Sequence, residues 1–176
     1  MVTARSILAT AAVAASTACA HSRGDPTSLP EGQAQLAVTD DVVRQLSATR
    51  APWTFYRNSA ELITRASASG HSEPLLRTQY NALAATQLDA NGRVRAGASF
   101  PDSAMIVKEL YTGSTLTSVA VMLKLRGSPQ ASQGGWVWGY FDGAGAVRVS
   151  VAERGAGCAG CHAPGIDYTR MNDAHP

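Results

Sequence analysis

The sequence has 176 residues, of which 45% are hydrophobic and 16% are charged, and its formal net charge is +2. This composition is typical of a globular protein with one domain and its own core, and it excludes a disordered chain. The weak positive charge is scattered, so the sequence also argues against a nucleic-acid partner.

Residues 1–20 have the pattern of a secretory signal peptide. Arg5 precedes a stretch of apolar and small residues, and Ala18, Cys19 and Ala20 match a small-x-small cleavage site. An alternative is a lipoprotein signal that is cut before Cys19. We therefore expect a periplasmic or secreted protein, or one held outside the cytoplasm by a lipid anchor. Residues 21–35 predict a flexible lead-in to a domain formed by residues 36–176.

Three helices are predicted in the first half of this domain. The first starts after Leu36, where Thr39, Asp40 and Asp41 can cap a segment with helical apolar spacing. The second and third are expected in residues 59–69 and 72–92, because each segment begins at a serine and is followed by a glycine stop signal.

Four strands are predicted after the helices. They occupy residues 104–111, 116–125, 135–141 and 146–153, which are rich in Val, Ile and aromatic residues and are separated by short turn sequences. Successive strands with short turns favour an antiparallel meander. The expected fold is therefore α+β, with a meander flanked by N-terminal helices and followed by a C-terminal attachment segment.

That C-terminal segment contains a Cys-x-x-Cys-His motif, formed by Cys158, Cys161 and His162. The spacing is the attachment signature of c-type haem, because the two thiols add to the haem vinyl groups and the next histidine can bind the iron. The motif predicts one covalently attached haem c, with His162 as the proximal iron ligand.

Other uses of the motif are a zinc site, a redox dithiol or a chance pairing. Zinc needs four ligands, and the fourth would have to be His71 or His175. A thioredoxin-like dithiol lies in a βαβ unit, which the sequence does not predict.

The late position of the motif bears on the iron's coordination. Met171 could bind the iron only if the short tail folded back sharply. We therefore expect a five-coordinate haem, which leaves one iron position open to small ligands. Simple electron transfer with Met171 as a sixth ligand is an alternative.

Three stretches, FPDSAMIVKEL (residues 100–110), GGWVWGYFDGAG (134–145) and CAGCHAPGIDYTR (158–170), occur in this order in the chain. Together they resemble the cytochrome P-460 and cytochrome c′-β family over residues 53–170. The resemblance implies a mostly antiparallel β fold, a homodimer and a five-coordinate c-type haem. P-460 members oxidise hydroxylamine, whereas c′-β members bind nitric oxide or carbon monoxide without turnover. If this chain acts as P-460 members do, we expect it to pass electrons to a partner cytochrome.

The resemblance also implies a lysine bonded covalently to the haem edge in P-460 members, and the matching residue is Lys108. The residues alone leave two orientations open. If Ile106 and Leu110 face the core, strand alternation turns Lys108 to the same side and Glu109 to the other; on an edge strand, Lys108 faces solvent.

Active members are similar in placing an acidic residue on the strand after the lysine strand, but residues 116–125 contain no Asp or Glu. An apolar wall formed by Val119, Val121, Met122 or Leu123 suits uncharged diatomic ligands. The first functional hypothesis is a hydroxylamine oxidoreductase, and the alternative is a nitric oxide binding protein.

The remaining aromatic and polar residues are assigned structural roles. Trp136 and Trp138 are expected in the core, and His71 in an exposed loop. Asp167 and Tyr168 are expected to hold the loop that follows His162.

Overall fold

A computed structural model describes residues 37–49 and 52–170. The predicted signal peptide, the lead-in, Met171 and His175 lie outside these residues. In the described part of the chain, seven strands form one antiparallel sheet in the order β1-β3-β4-β5-β6-β7, with β2 pairing beside β3. The strands are β1 (Thr54–Phe55), β2 (Ile63–Thr64), β3 (Leu75–Tyr80), β4 (Met105–Thr112), β5 (Thr115–Lys124), β6 (Trp136–Asp142) and β7 (Val147–Val149).

The predicted meander is confirmed, since β4, β5, β6 and β7 follow one another in the chain and in the sheet. The last strand is shorter than expected, because the chain leaves the sheet after Val149 for a 3-10 helix, Val151–Glu153. Ser150 and Glu153 form a capping box at its start. The Glu153 carboxylate accepts the Ser150 N–H, and the Ser150 hydroxyl accepts the Ala152 N–H.

The first predicted helix is confirmed as α1 (Asp40–Ala48), and the Thr39 side chain accepts the Val42 N–H at its start. Val43 is fully buried against the sheet beside Gly139 of β6, whose missing side chain leaves room for it. Asp40 connects α1 to the segment after β7, because its carboxylate accepts the Val151 N–H and the Ser150 hydroxyl, each at 2.7 Å.

The other two predicted helices are wrong. Residues 59–69 form irregular structure around β2. Residues 72–92 contain the strand β3 and then a single helical turn, α2 (Ala82–Ala85), and the rest of the segment is irregular. The six residues of β3 pair with β4 along their whole length, which satisfies their backbone groups in the sheet rather than in a helix. The capping side chain belongs to Asn81, which accepts the Ala84 N–H after the strand ends.

The sheet buries side chains on both faces. One face packs under α1 through Val43, Val107, Val121, Val137 and Phe141. The other face carries Tyr80, Phe100, Ile106, Met122, Trp136 and Trp138. None of the helices in residues 37–49 and 52–170 is long and apolar enough to cross a membrane.

Candidate haem site

A cavity of about 330 Å³ opens on the second face of the sheet, over β4, β5 and β6. Cross-strand pairing sets its floor, because Ile106, Met122 and Trp138 form one rung and Lys108, Ala120 and Tyr140 form the next. Its walls come from the loop before β3 and from the C-terminal segment. The residues that carry its chemistry are His71, Lys108, Tyr140, Arg148, Cys158, Cys161, His162 and Arg170.

The Cys-x-x-Cys-His motif forms a short helix, α3 (Ala159–His162), with Cys158 at its N-terminal cap. One helical turn brings both thiols and the imidazole to the same cavity, and neither thiol is in a disulfide. Burial raises the pKa of the Cys158 thiol, and nearby Glu153 and Cys161 raise it further. Cys158 is therefore kept as a neutral thiol at neutral pH.

The imidazole of His162 is fixed at one nitrogen. Its Nδ1 lies 2.9 Å from the carbonyl oxygen of Tyr168. A carbonyl oxygen can only accept a hydrogen bond, so Nδ1 carries the proton and Nε2 keeps its lone pair for a metal. Trp138 supports the ring from the side, with 4.8 Å between ring centroids and an interplanar angle of 72°.

Lys108 lies in the cavity floor, on the same face of β4 as Ile106. Its Nζ donates to the carbonyl oxygen of Arg170 at 3.4 Å. Burial, and secondarily the positive charge of Arg170, lower the pKa of Lys108 to about 8. Near neutral pH an appreciable fraction of Lys108 is therefore the neutral, nucleophilic amine. Glu109 points to the opposite face and pairs with Arg77 at 2.6 Å.

His71 lies in the cavity wall rather than in an exposed loop as predicted. Its ring is tilted against Tyr140, with 5.9 Å between centroids. Burial, followed by the charges of Lys108 and His162, lowers the pKa of His71 to about 3, so the imidazole is neutral at pH 7. No sequence signal marks His71, because the loop that carries it precedes β3, a strand that the sequence did not predict.

A buried carboxylate approaches the cavity from the same loop. Glu73 accepts hydrogen bonds from Ser118 at 2.6 Å and from the hydroxyl of Tyr140 at 3.2 Å. Burial raises the pKa of Glu73, but these hydrogen bonds and those from its own amide and Ser72 outweigh burial and lower the pKa below its usual 4.5. Tyr140 lines the cavity, so it connects the cavity to an ionised Glu73.

The predicted apolar wall is corrected in two of its four residues. Met122 and Val121 line the cavity, together with Ile106 and Ala120. Val119 and Leu123 pack in the core on the opposite face, because they alternate with Ala120 and Met122 along β5. The buried Val121 belongs to that same core and also borders the cavity. Both tryptophans are buried in the core as expected, and Trp138 also lines the cavity.

The family model described as Cytochrome P460 matches residues 56–169. The chain belongs to the cytochrome P460 family. A search of curated proteins finds no match. Membership of the cytochrome P460 family indicates a haem-binding cytochrome, and the matched residues include the whole cavity floor and the Cys-x-x-Cys-His motif.

The residues of the cavity fit the haem that the cytochrome P460 family implies. Two free thiols and an imidazole that is protonated at Nδ1 occupy one end. Ile106, Ala120 and Met122 supply an apolar surface for a macrocycle, and the guanidinium groups of Arg148 and Arg170 carry the charge that haem propionates require. The role of each residue toward the haem stays a prediction.

The alternatives to a haem site find less support in the fold. Within residues 37–49 and 52–170, no group of three or more His, Cys, Asp or Glu side chains is placed to hold a metal ion. The motif follows a 3-10 turn at the end of an antiparallel meander, whereas a thioredoxin-like dithiol lies in a βαβ unit.

Proposed function

We propose that this member of the cytochrome P460 family is a c-type haem oxidoreductase that acts on hydroxylamine or a related small nitrogen compound. The observation that supports this most is the placement of Lys108 in the same cavity as Cys158, Cys161 and His162. In the proposal, the two cysteines form thioethers with the haem, His162 binds the iron and Lys108 is bonded to the haem edge.

The haem would supply an iron that binds the substrate nitrogen and accepts its electrons. The chain's contribution begins with Lys108, whose lowered pKa leaves an amine able to form a bond with carbon. Forming that bond would remove one hydrogen from the amine and one from the macrocycle, so the proposal includes a two-electron oxidant of the peroxide class, which takes up both hydrogens and leaves as two water molecules.

Oxidation of hydroxylamine releases protons together with electrons, so the site needs a route for protons. The cavity-lining residues of the described chain include no carboxylate. Tyr140 lines the cavity and donates to Glu73, which supports a proton route from the cavity through Tyr140 to Glu73. Neutral His71 can hold a small polar substrate by a hydrogen bond without taking its proton.

The chain contains two lysines, Lys108 and Lys124, which makes the cross-link directly testable. We expect peptide mass spectrometry of the purified holoprotein to find haem joined to the peptides that carry Cys158, Cys161 and Lys108. Lys108→Ala should lose only the lysine bond and should return the ferrous Soret band to the position of an ordinary c-type haem. Lys124→Arg is the matched control and should keep the cross-link.

Hydroxylamine turnover with an artificial electron acceptor completes the test. Activity in the wild type and its loss in Lys108→Ala support the proposal. A haem with thioether bonds alone and no turnover would contradict it.

Binding of nitric oxide without turnover is the second candidate. It is favoured by the apolar floor of Ile106, Ala120 and Met122 and by the lack of a carboxylate among the described cavity-lining residues. A ferrous spectrum that shifts with nitric oxide in a protein inactive toward hydroxylamine would favour this candidate.

The setting of the protein is part of the same proposal. We expect export by the signal in residues 1–20, action as a homodimer in the periplasm, and transfer of electrons to a partner cytochrome. Retention of Cys19 as a lipid anchor is the alternative for its location. Simple electron transfer through Met171 would require the open iron position to be filled.

A further inference from the structure

Lys124 and Asp167 form a buried ion pair outside the lining of the haem cavity. The Nζ of Lys124 lies 2.6 and 2.8 Å from the two carboxylate oxygens of Asp167, and the lysine side chain is 2% exposed. Burying a lysine and a carboxylate costs much of what their attraction returns, so such a pair often stabilises a fold no more than apolar side chains would. Its position therefore points to a role beyond stability.

Asp167 is held by two further hydrogen bonds besides the ion pair. Its Oδ2 accepts the backbone N–H of Phe100 at 2.7 Å, and its main-chain oxygen accepts the indole N–H of Trp136 at 2.8 Å. Trp136 also lies under Lys124, with the Nζ 4.7 Å from the ring centroid. Side chain and backbone of Asp167 are thus both fixed to the end of the sheet.

The backbone at Asp167 and Tyr168 adopts a conformation that needs this support. Both residues have left-handed backbone angles, with φ of 46° and 64°. Residues with a Cβ avoid this region unless their surroundings impose it. The consequence of the two left-handed residues is that the carbonyl group of Tyr168 lies 2.9 Å from His162 Nδ1.

We propose that Lys124 and Asp167 are positioning residues for the iron ligand, which act by holding the Tyr168 carbonyl against His162 Nδ1. The inference rests on the proposed assignment of His162 as the iron ligand. A hydrogen bond at Nδ1 makes an imidazole a stronger donor through Nε2 and favours the ferric state of the metal it binds. The ion pair then sets the reduction potential of the haem from outside the cavity lining.

The test uses the holoprotein with Asp167→Asn and Lys124→Met. Asparagine keeps the acceptor for the Phe100 N–H but removes the charge, and methionine keeps most of the lysine's volume. We expect an upward shift of the reduction potential and a lower iron–histidine stretching frequency in the resonance Raman spectrum of the ferrous protein. Lys124→Arg keeps the positive charge, so its reduction potential and its iron–histidine stretching frequency should stay close to those of the wild type.

Glu109→Gln is the matched control, because Glu109 belongs to another ion pair, with Arg77, and points to the face of the sheet opposite to that of Lys108. It should lower stability without moving the potential or the stretching frequency. If Asp167→Asn behaves like this control, with both values unchanged, the pair is merely structural and the inference is overturned. Should Lys124→Met fail to fold, Asp167→Asn gives the decision by itself.

The same spectra separate this inference from the proposed function. A wild-type holoprotein without an iron–histidine stretching band contradicts the assignment of His162, and the inference is overturned with it. A wild-type protein with a normal band that no ion-pair variant shifts contradicts the inference alone.

Discussion

Tyr168 packs its ring directly over Gly134 while its carbonyl group fixes His162. A Cβ atom on Gly134 would lie 2.5 Å from Cδ2 of Tyr168, and Gly134 has a φ of +76°. The glycine therefore permits both the turn before β6 and the seating of the aromatic ring. Tyr168 therefore links Gly134 to His162, the candidate iron ligand.

Gly134→Ala should consequently disturb the haem as well as the fold. The positive φ alone costs an alanine about 1–3 kcal/mol, and the clash displaces Tyr168 from its place. We expect a lower melting temperature and a weakened hydrogen bond at His162, seen as a shift in the ferrous spectrum.

Gly97→Ala provides the comparison, because Gly97 has a φ of +71° but open space where a Cβ would lie. This variant should lose stability through backbone strain alone and leave the ferrous spectrum unchanged. Equal spectral shifts in the two variants would show that Tyr168 does not carry the effect.

The titration of Lys108 gives a second prediction. In the haem-free protein, the amine becomes neutral as the pH rises through about 8, because burial penalises the charged form. Acetylation of Lys108 by an amine-reactive reagent, followed by peptide mass spectrometry across a pH series, should reach half its maximal rate near that pH. The same peptide in urea supplies the reference, with a midpoint near 10.5. Identical midpoints would contradict the buried environment.

The linked stability has a definite sign. Between pH 8 and pH 10.5 the unfolded chain holds the Lys108 proton that the folded chain has released. The free energy of unfolding of the haem-free protein should therefore rise with pH across this window, by up to about 1.4 kcal/mol per pH unit. Denaturant unfolding of Lys108→Met should lack this rise, while any rise that persists in the variant must come from other groups.

The packing of α1 gives a prediction about stability alone. Val43 is fully buried against the sheet, whereas its neighbour Val42 is 44% exposed. Val43→Ala should lower the free energy of unfolding by about 1–3 kcal/mol, and Val42→Ala should change it little. Denaturant unfolding of both holoproteins measures the difference. The spectra should match the wild type, because α1 packs on the face of the sheet away from the cavity.

The parts of the fold that could be predicted from the sequence are those with local signals. The strands of the meander alternate apolar and polar residues, and the haem motif is defined by its own spacing. Residues 72–92 misled the prediction because a serine, a proline and spaced leucines favour a helix locally. Their strand, β3, is stabilised by pairing with β4, about thirty residues further along the chain, and propensity does not report that pairing.

The residues of the candidate site also divide into those with a local sequence signal and those without one. Cys158, Cys161, His162 and Lys108 could be identified from motif and resemblance. His71 and Glu73 could not, because a loop brings them to β5 and β6 from 45 to 67 residues away, as the hydrogen bonds of Glu73 show. The Lys124–Asp167 pair likewise joins residues 43 apart in the sequence. Such contacts depend on sheet register and loop path, for which a single sequence carries no periodic signal.

β5 carries no carboxylate, but Glu73 approaches the cavity from the loop before β3. Substitution of Glu73 can therefore distinguish an enzyme from a nitric oxide binding protein. Glu73→Gln keeps the shape of the side chain and an acceptor for Ser118 and Tyr140, but it removes the ionised acceptor at the end of the proton route. If the protein oxidises hydroxylamine by this route, turnover should fall by about a hundredfold or more. Nitric oxide binding, which moves no proton, should be unchanged.

Glu109→Gln again gives the matched control, since it removes a buried carboxylate that faces away from the cavity and pairs with Arg77. Its hydroxylamine turnover should equal that of the wild type at a temperature where both are folded. Equal turnover in Glu73→Gln and Glu109→Gln would exclude the Tyr140–Glu73 route. Loss of nitric oxide binding in Glu73→Gln would instead show that the carboxylate only maintains the cavity. A selective loss of turnover is the result that the geometry of Tyr140 and Glu73 predicts.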